Sequence, residues 1–268
     1  MGVYQASAAF YRLAAMDEAT DSNKGTAMGW VLSGSLVAAL FGPLLAKHSN
    51  GWISDAEYAG SYLLASFFSF AAVWLLGLLS TTKPAFDNAH KTASKRFLKQ
   101  AAYWKGVGNT AFGQFVMMIM MVITPLAMHA QHHSAAEGLS VIGWHIVGMF
   151  LPSLVTGKLV DRYGAASVAI GGLLVLLISA VIAIMGMTLS HYYLSLFLLG
   201  VGWNLLYVAG TGQYSAAYDE EEKGKAQGVA ELVVSLSAII AVISGGLLMQ
   251  AMDWQQANEF LAYVLLAA

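Results

Sequence analysis

The chain contains no cysteine, which excludes disulfides and thiolate metal sites. Charge is scarce as well. Only 10% of its 268 residues are Asp, Glu, Lys or Arg, against 58% hydrophobic residues. A soluble domain of this size could not hide so much apolar surface. The signatures of enzymes are missing too: there is no G-x-S-x-G, no H-E-x-x-H, no G-x-x-x-x-G-K-[ST] and no strand followed by G-x-G-x-x-G. No enzyme activity, no cofactor and no resident metal are therefore expected. The formal charge of −2 gives no reason to expect a nucleic-acid partner.

What is present is a series of long apolar runs. Residues 26–46, 58–80, 106–128, 138–157, 165–189, 192–216 and 226–250 are each able to cross a bilayer. Each is about 20–25 residues long, and at ~1.5 Å rise per residue that matches a hydrocarbon core of about 30 Å. Numbering the connections alternately, one side holds Arg12, Lys24, Lys83, Lys91, Lys95, Arg96, Lys99, Lys105, Lys158, Arg162, Lys223 and Lys225. The other side holds only Lys47. Excess Lys and Arg marks the cytoplasmic face. The expected fold is all-α: a polytopic helical bundle, multi-pass in the cytoplasmic membrane, with about seven full spans plus partial terminal helices.

One pattern occurs twice. Ala14-Ala15-Met16-Asp17-Glu18 precedes Lys24-Gly25-Thr26-Ala27-Met28-Gly29, and Ala216-Ala217-Tyr218-Asp219-Glu220 precedes Lys223-Gly224-Lys225-Ala226-Gln227-Gly228. Each copy sits at a cytoplasmic helix junction. Six crossings separate the copies, so both have one orientation, as in two parallel six-helix halves related by an axis along the membrane normal. The expected division is 1–80 as a remnant of the N-terminal six-helix bundle, 81–103 as a cytoplasmic linker, and 104–268 as the C-terminal bundle with its last helix incomplete. On this count three helices and most of a fourth belong before Met1, and the segment from Ala257 to Ala268 is too short to span; the chain reads as truncated. The linker holds Pro84, Lys91, Lys95, Arg96 and Lys99, and part of it is expected to form an amphipathic helix against anionic lipid.

After the 138–157 span comes Gly157-Lys158-Leu159-Val160-Asp161-Arg162-Tyr163-Gly164. This loop resembles the G-x-L-x-D-R-x-G signature of the major facilitator superfamily in its second-half position. The family's trailing basic cluster is absent, since Ala165, Ala166 and Ser167 follow. Ala38-Leu40-Gly42-Pro43-Ala46 resembles a degraded form of the family's G-x-x-x-G-P-x-x-G-G pattern. Gln5 resembles the glutamine of its fourth-helix motif, with Gly2 where an arginine is expected. Gly202-Trp203-Asn204, Ala226-Gln227-Gly228 and Glu231 are similar to a poorly characterised bacterial branch. The resemblance implies a secondary active transporter, a permease moving a small-molecule solute by alternating access, with protons as the expected coupling ion. The alternative is a truncated, non-transporting membrane remnant or interaction protein.

Candidate residues follow. Gly157, Asp161, Arg162 and Gly164 form the candidate cytoplasmic gate. The glycines permit a tight turn, and Asp161 can cap a helix start or pair with Arg162 or another basic group. A solvated charged loop is the alternative. Ionisable groups inside spans are costly, and two stand out as proton-coupling candidates, Glu231 and His145. Glu231 lies ~8 Å along its helix from the inner end. It either carries a proton or snorkels to cytoplasmic water, and His145 either switches charge or bonds a neighbouring helix. Asn109, Gln114, Asn204, Tyr207 and Thr211 are the substrate-cavity candidates. Trp203, Tyr207, Thr211 and Tyr214 recur at helical spacing on one face, which suits a cavity wall or plain packing. The outer loop holds His129, His132 and His133 and reads as a solvated loop rather than a metal site.

Overall fold

The computed structural model describes residues 11–20, 22–49, 52–53, 56, 58–78 and 95–268, without the side chains of residues 43, 44 and 47. Expectations resting on Gly2, Gln5, Lys83, Pro84, Lys91 and the side chains of Pro43 and Lys47 lie outside the described residues.

The described residues form helices, with no strand among them. In chain order they are α1 (Tyr11–Asp17), α2 (Lys24–Ser49), α3 (Ala59–Gly77), a 3₁₀ turn (Arg96–Lys99), α4 (Ala101–Ala130), α5 (Ala135–Phe150), α6 (Ser153–Tyr163), α7 (Ala165–Met185), α8 (Leu189–Ser215), α9 (Lys223–Ala251) and α10 (Trp254–Leu266). Seven stretches among the described residues are long and apolar enough to cross a membrane, α5 and α6 together making one of them. The membrane explains the choice of helix, because in lipid every backbone N–H and C=O must be bonded within its own segment.

Local chemistry sets the boundaries. The Ser134 hydroxyl accepts from the Glu137 backbone and the Glu137 carboxylate accepts from Ser134, a capping box that starts α5. Asp253 and Gln256 do the same for α10, which begins ahead of the expected 257. The 138–157 segment, expected as one span, is interrupted at Leu151–Pro152, because proline brings no N–H to the ladder. Gly164 separates α6 from α7 at φ 81°, a left-handed conformation that costs glycine little.

The chain divides into two compact units. Val37–Ala93 contains the end of α2 and α3. There the Ser49 hydroxyl meets Ser61 Oγ at 3.1 Å, and Ser61 donates to the Ala46 carbonyl at 2.9 Å, closing an antiparallel helix pair. The other unit, Met1–Leu36 with Ser94–Ala268, is built around α8. Three glycines on α8 each face a neighbouring helix closely. A Cβ on Gly210 would lie 2.6 Å from the Gly106 carbonyl of α4, one on Gly202 3.0 Å from the Gly172 carbonyl of α7, and one on Gly200 2.6 Å from the Met149 amide of α5. Without a hydrophobic drive between helices in lipid, small residues allow the close packing that holds a bundle together. The apolar core beside them includes Ile119, Met120, Leu176, Leu199, Leu206 and Leu261.

Candidate functional site

Glu231 of α9 forms an ion pair with Arg12 of α1, and its Oε1 accepts from the Tyr214 hydroxyl at 3.5 Å. Arg12 is only 3% exposed, while the Glu231 side chain keeps 22%. The guanidinium lies 4.6 Å from the centre of the Tyr207 ring, a distance at which the ring face attracts a cation. Tyr207 stacks on Trp203 at 4.5 Å with 22° between the planes. The Trp203 indole donates to Gln114 Oε1 at 3.0 Å, and Asn109 Nδ2 donates to Gln213 Oε1 at 3.1 Å. Thr211 is buried between Tyr207 and Tyr214 on α8. The structure thus gathers Glu231, Tyr207, Thr211 and Gln114 around α8 and adds Arg12, which by sequence is only one of the cytoplasmic positive charges. A signal for Arg12 exists in the repeat: it stands two residues before the first Ala-Ala pair, where the second copy has Tyr214. Both touch Glu231.

Two candidates belong elsewhere. The His145 Nδ1 meets the Leu196 carbonyl at 2.9 Å across the α5–α8 crossing, away from the partners of Glu231. Its Nε2 has no partner among the described residues. Asn204 is completely buried. Its Nδ2 donates to the Met149 carbonyl at 2.8 Å and to Ser153 Oγ at 2.6 Å, and its Oδ1 accepts from Thr156 at 2.7 Å. These groups flank the α5–α6 interruption, so Asn204 replaces bonds that the broken helix cannot make for itself. Asn204→Ala is expected to lower unfolding stability by about 2 kcal/mol, read as a fall in the thermal midpoint in detergent. A midpoint equal to that of the parent would remove this role.

At the cytoplasmic end, Asp161 reaches the start of α2. Its carboxylate accepts from the Gly25 and Thr26 amides, both at 2.9 Å, and from the Thr26 hydroxyl at 2.6 Å. Of the two roles open to Asp161, the structure shows the helix cap, with a negative charge at the positive end of a helix. Arg162 instead lies 5.2 Å from the Tyr163 ring. Gly157 allows the approach, since a Cβ there would lie 2.8 Å from Thr26 Cα, and Gly164 makes the turn that follows. The two repeats also pair directly: Lys223 of the second copy binds Asp17 of the first at 2.5 Å. Nearby, Gln227 Nε2 donates to the Tyr218 hydroxyl at 2.8 Å, and burial raises that hydroxyl above the usual tyrosine pKa. Between α1, α2, α4, α6 and α8 opens a cavity of about 690 Å³, with Lys24, Gln100, Asp161 and Gln213 in its wall. In the outer loop His133 approaches Glu137 at 3.8 Å, and among the described residues no three metal-ligating side chains converge.

A family model described as Major Facilitator Superfamily matches residues 107–268. The chain belongs to the major facilitator superfamily. Among curated relatives, the riboflavin transporter RfnT of Brucella anthropi is 33% identical over 261 residues, which cover 96% of this chain and 66% of that protein. The uncharacterized MFS-type transporter YdeG of Bacillus subtilis is 30% identical over 249 residues, 84% of this chain and 57% of that one. The multidrug resistance protein MdtL of Klebsiella pneumoniae is 24% identical over 139 residues, 51% and 36% respectively. The chain therefore spans less than two thirds of the length of these superfamily relatives. Superfamily membership and the seven apolar spans together make it a multi-pass membrane protein of a transporter family.

Proposed function

We propose that this chain serves a secondary active transporter of the cytoplasmic membrane, moving a small solute by alternating access with protons as the coupling ion. In this reading residues 1–80 belong to the first six-helix half, 81–103 to the linker and 104–268 to the second half. The supporting observation is the pairing of buried Arg12 with half-buried Glu231 against the aromatic face of α8. An ionised Glu231 holds Arg12 and ties α1 to α9; a proton on Glu231 removes the attraction and lets the two separate. A ligand shifts such an equilibrium only by its differential affinity for the two states. The proton supplies that difference by cancelling the charge that faces buried Arg12. Asp161 at the start of α2 acts as a second tie at the same end.

Solute chemistry follows from the same face. Trp203 is only 5% exposed, and the Tyr207 ring is covered by Trp203 and Arg12. Departure of Arg12 with α1 would uncover the Tyr207 face as a planar platform, with Gln114, Asn109 and Gln213 supplying amide donors and acceptors beside it. That combination suits a planar heteroaromatic solute with hydrogen-bonding edges, the class to which the cargo named for the Brucella relative belongs. The test is uptake of radiolabelled riboflavin by proteoliposomes holding the full-length protein under an imposed pH gradient. Accumulation that collapses with a protonophore is expected, and Trp203→Ala is expected to slow initial uptake about tenfold, the loss of one stacking interaction of about 1.4 kcal/mol. Uptake indifferent to the protonophore would overturn the coupling, and no uptake would overturn the solute class.

A further inference from the structure

The 3₁₀ turn Arg96–Lys99 lies in the connection that joins the two halves, and nothing above gives it a task. We propose that Phe97 is a plug in the cytoplasmic gate and that Glu222 is the residue that positions it. The proposal rests on the alternating-access reading. Under it, the linker takes part in each transport cycle instead of merely connecting two bundles.

The turn is polarised. Arg96, Leu98 and Lys99 are exposed, while Phe97 between them is 1% exposed. Its ring meets Tyr103 edge-on at 4.9 Å, and Tyr103 meets Tyr214 edge-on at 6.2 Å. Tyr214 in turn touches Glu231. A chain of three rings therefore leads from the linker to the Arg12–Glu231 pair. The same apolar cluster draws Leu13 and Met16 from α1, Met28 from α2, and Ala226 and Ala230 from α9. Phe97 thus sits where segments from both repeats meet. If α1 and α9 separate at this end, the cluster opens and Phe97 must leave it.

Glu222 fixes the turn. Its Oε1 accepts from the Arg96 amide at 2.6 Å and lies 3.4 Å from the Phe97 amide. The residue is 2% exposed and its Oε2 has no hydrogen-bond partner among the described residues, so the cost of burying the carboxylate is offset at Oε1 by the turn's amides. On the other side the Trp104 indole donates to the Leu98 carbonyl at 2.8 Å. Glu222 also sits at the N-terminal boundary of α9, nine positions ahead of Glu231 in the same run. Movement of α9 therefore moves the group that holds Phe97. A turn serving only as a tether would gain little from a buried carboxylate gripping its amides and a buried ring behind them.

The test reads access to a thiol, with solute flux measured beside it. The chain contains no cysteine, so Val107→Cys places a single thiol inside the cluster, where Val107 is 1% exposed. A second protein carries Ala169→Cys, buried in the neighbouring core near the cytoplasmic end of α7, as a control for general loosening. Modification by a membrane-impermeant maleimide is followed in inside-out vesicles. Phe97→Ala and Glu222→Ala are each expected to speed labelling at Val107→Cys about tenfold, as a matching shift toward the open state requires. Phe97→Leu, which keeps most of the bulk, should stay near the parent rate, and labelling at Ala169→Cys should not change. If Phe97→Ala does not yield monodisperse protein, Glu222→Ala carries the test with the plug intact but released. Unchanged labelling in Glu222→Ala, or an equal rise at the control thiol, would overturn the plug. Raised labelling without solute flux would leave the plug standing and refute transport alone; normal flux with unchanged labelling would refute the plug alone.

Discussion

Replacing Glu231 with glutamine is expected to abolish gradient-driven uptake and to destabilise the protein by about 3 kcal/mol, the lower end of the range for breaking a buried pair. The stability loss follows from the depth of Arg12, which is 3% exposed. Without the carboxylate its charge stays buried, beside Tyr207 and Tyr214. The Tyr207 ring offsets part of the loss, because a desolvated cation–π contact contributes up to about 2 kcal/mol. Arg12→Gln is expected to be milder. The Glu231 side chain retains 22% exposure and can turn toward cytoplasmic water. The double variant Arg12→Gln with Glu231→Gln is expected to return to within about 1 kcal/mol of the parent, since two neutral amides replace two charges together. Uptake should stay lost in the double variant, because no group remains to carry the proton. Thermal unfolding in detergent and proteoliposome uptake check the two halves of this prediction. A double variant less stable than Glu231→Gln alone would show that the pair is not the unit described here.

Alanine at Gly157 should be the most damaging single methyl group in the α2–α6 region. The expected loss is about 3 kcal/mol or more, the upper range for overpacking. A Cβ on Gly157 would stand 2.8 Å from Thr26 Cα, and one on Gly25 would stand 2.7 Å from the Gly157 carbonyl. Backbone cannot yield as a flexible side chain can, so α2 and α6 must separate. Separation would pull Asp161 from the Gly25 and Thr26 amides, losing a helix cap of about 1 kcal/mol as well. Gly228→Ala is the matched control. Nothing lies within 4 Å of a Cβ there, and alanine in a helix is favoured over glycine by up to about 1 kcal/mol. The yield of monodisperse protein and the unfolding midpoint report both. If Gly157→Ala unfolds like Gly228→Ala, the close approach is not what holds α2 to α6.

Some site residues were legible and others were not, for reasons that differ. Glu231 was legible because a carboxylate inside an apolar run has few bland explanations. Asp161 and Gly157 were legible because a short loop between two spans must turn tightly and carries its own polar chemistry. Asn204 was noticed as a polar residue deep in a span, but its partners lie 48 to 55 residues away. Only their positions show that its amide bonds the two sides of an interrupted helix. Arg12 shows the opposite difficulty. A basic residue at a cytoplasmic helix end satisfies the charge rule so well that no pattern marks it as buried. Its partner lies 219 positions away. Phe97 and Glu222 were equally silent, one an apolar residue in a basic linker and the other one of three adjacent glutamates, Glu220, Glu221 and Glu222.

The sequence by itself determined the fold class, the number of spans, which ends carry the positive charge and the repeat at two helix junctions. Those are properties of one segment against one solvent: a bilayer demands about 20 apolar residues in a helix, and charge asymmetry counts loop by loop. The tertiary structure decided which polar residues meet, which of them share one face of α8, and where Arg12, Asp161, Asn204 and Glu222 spend their hydrogen bonds. Those are properties of pairs, set by close glycine contacts between helices distant in sequence, and no local pattern encodes the far partner of a pair.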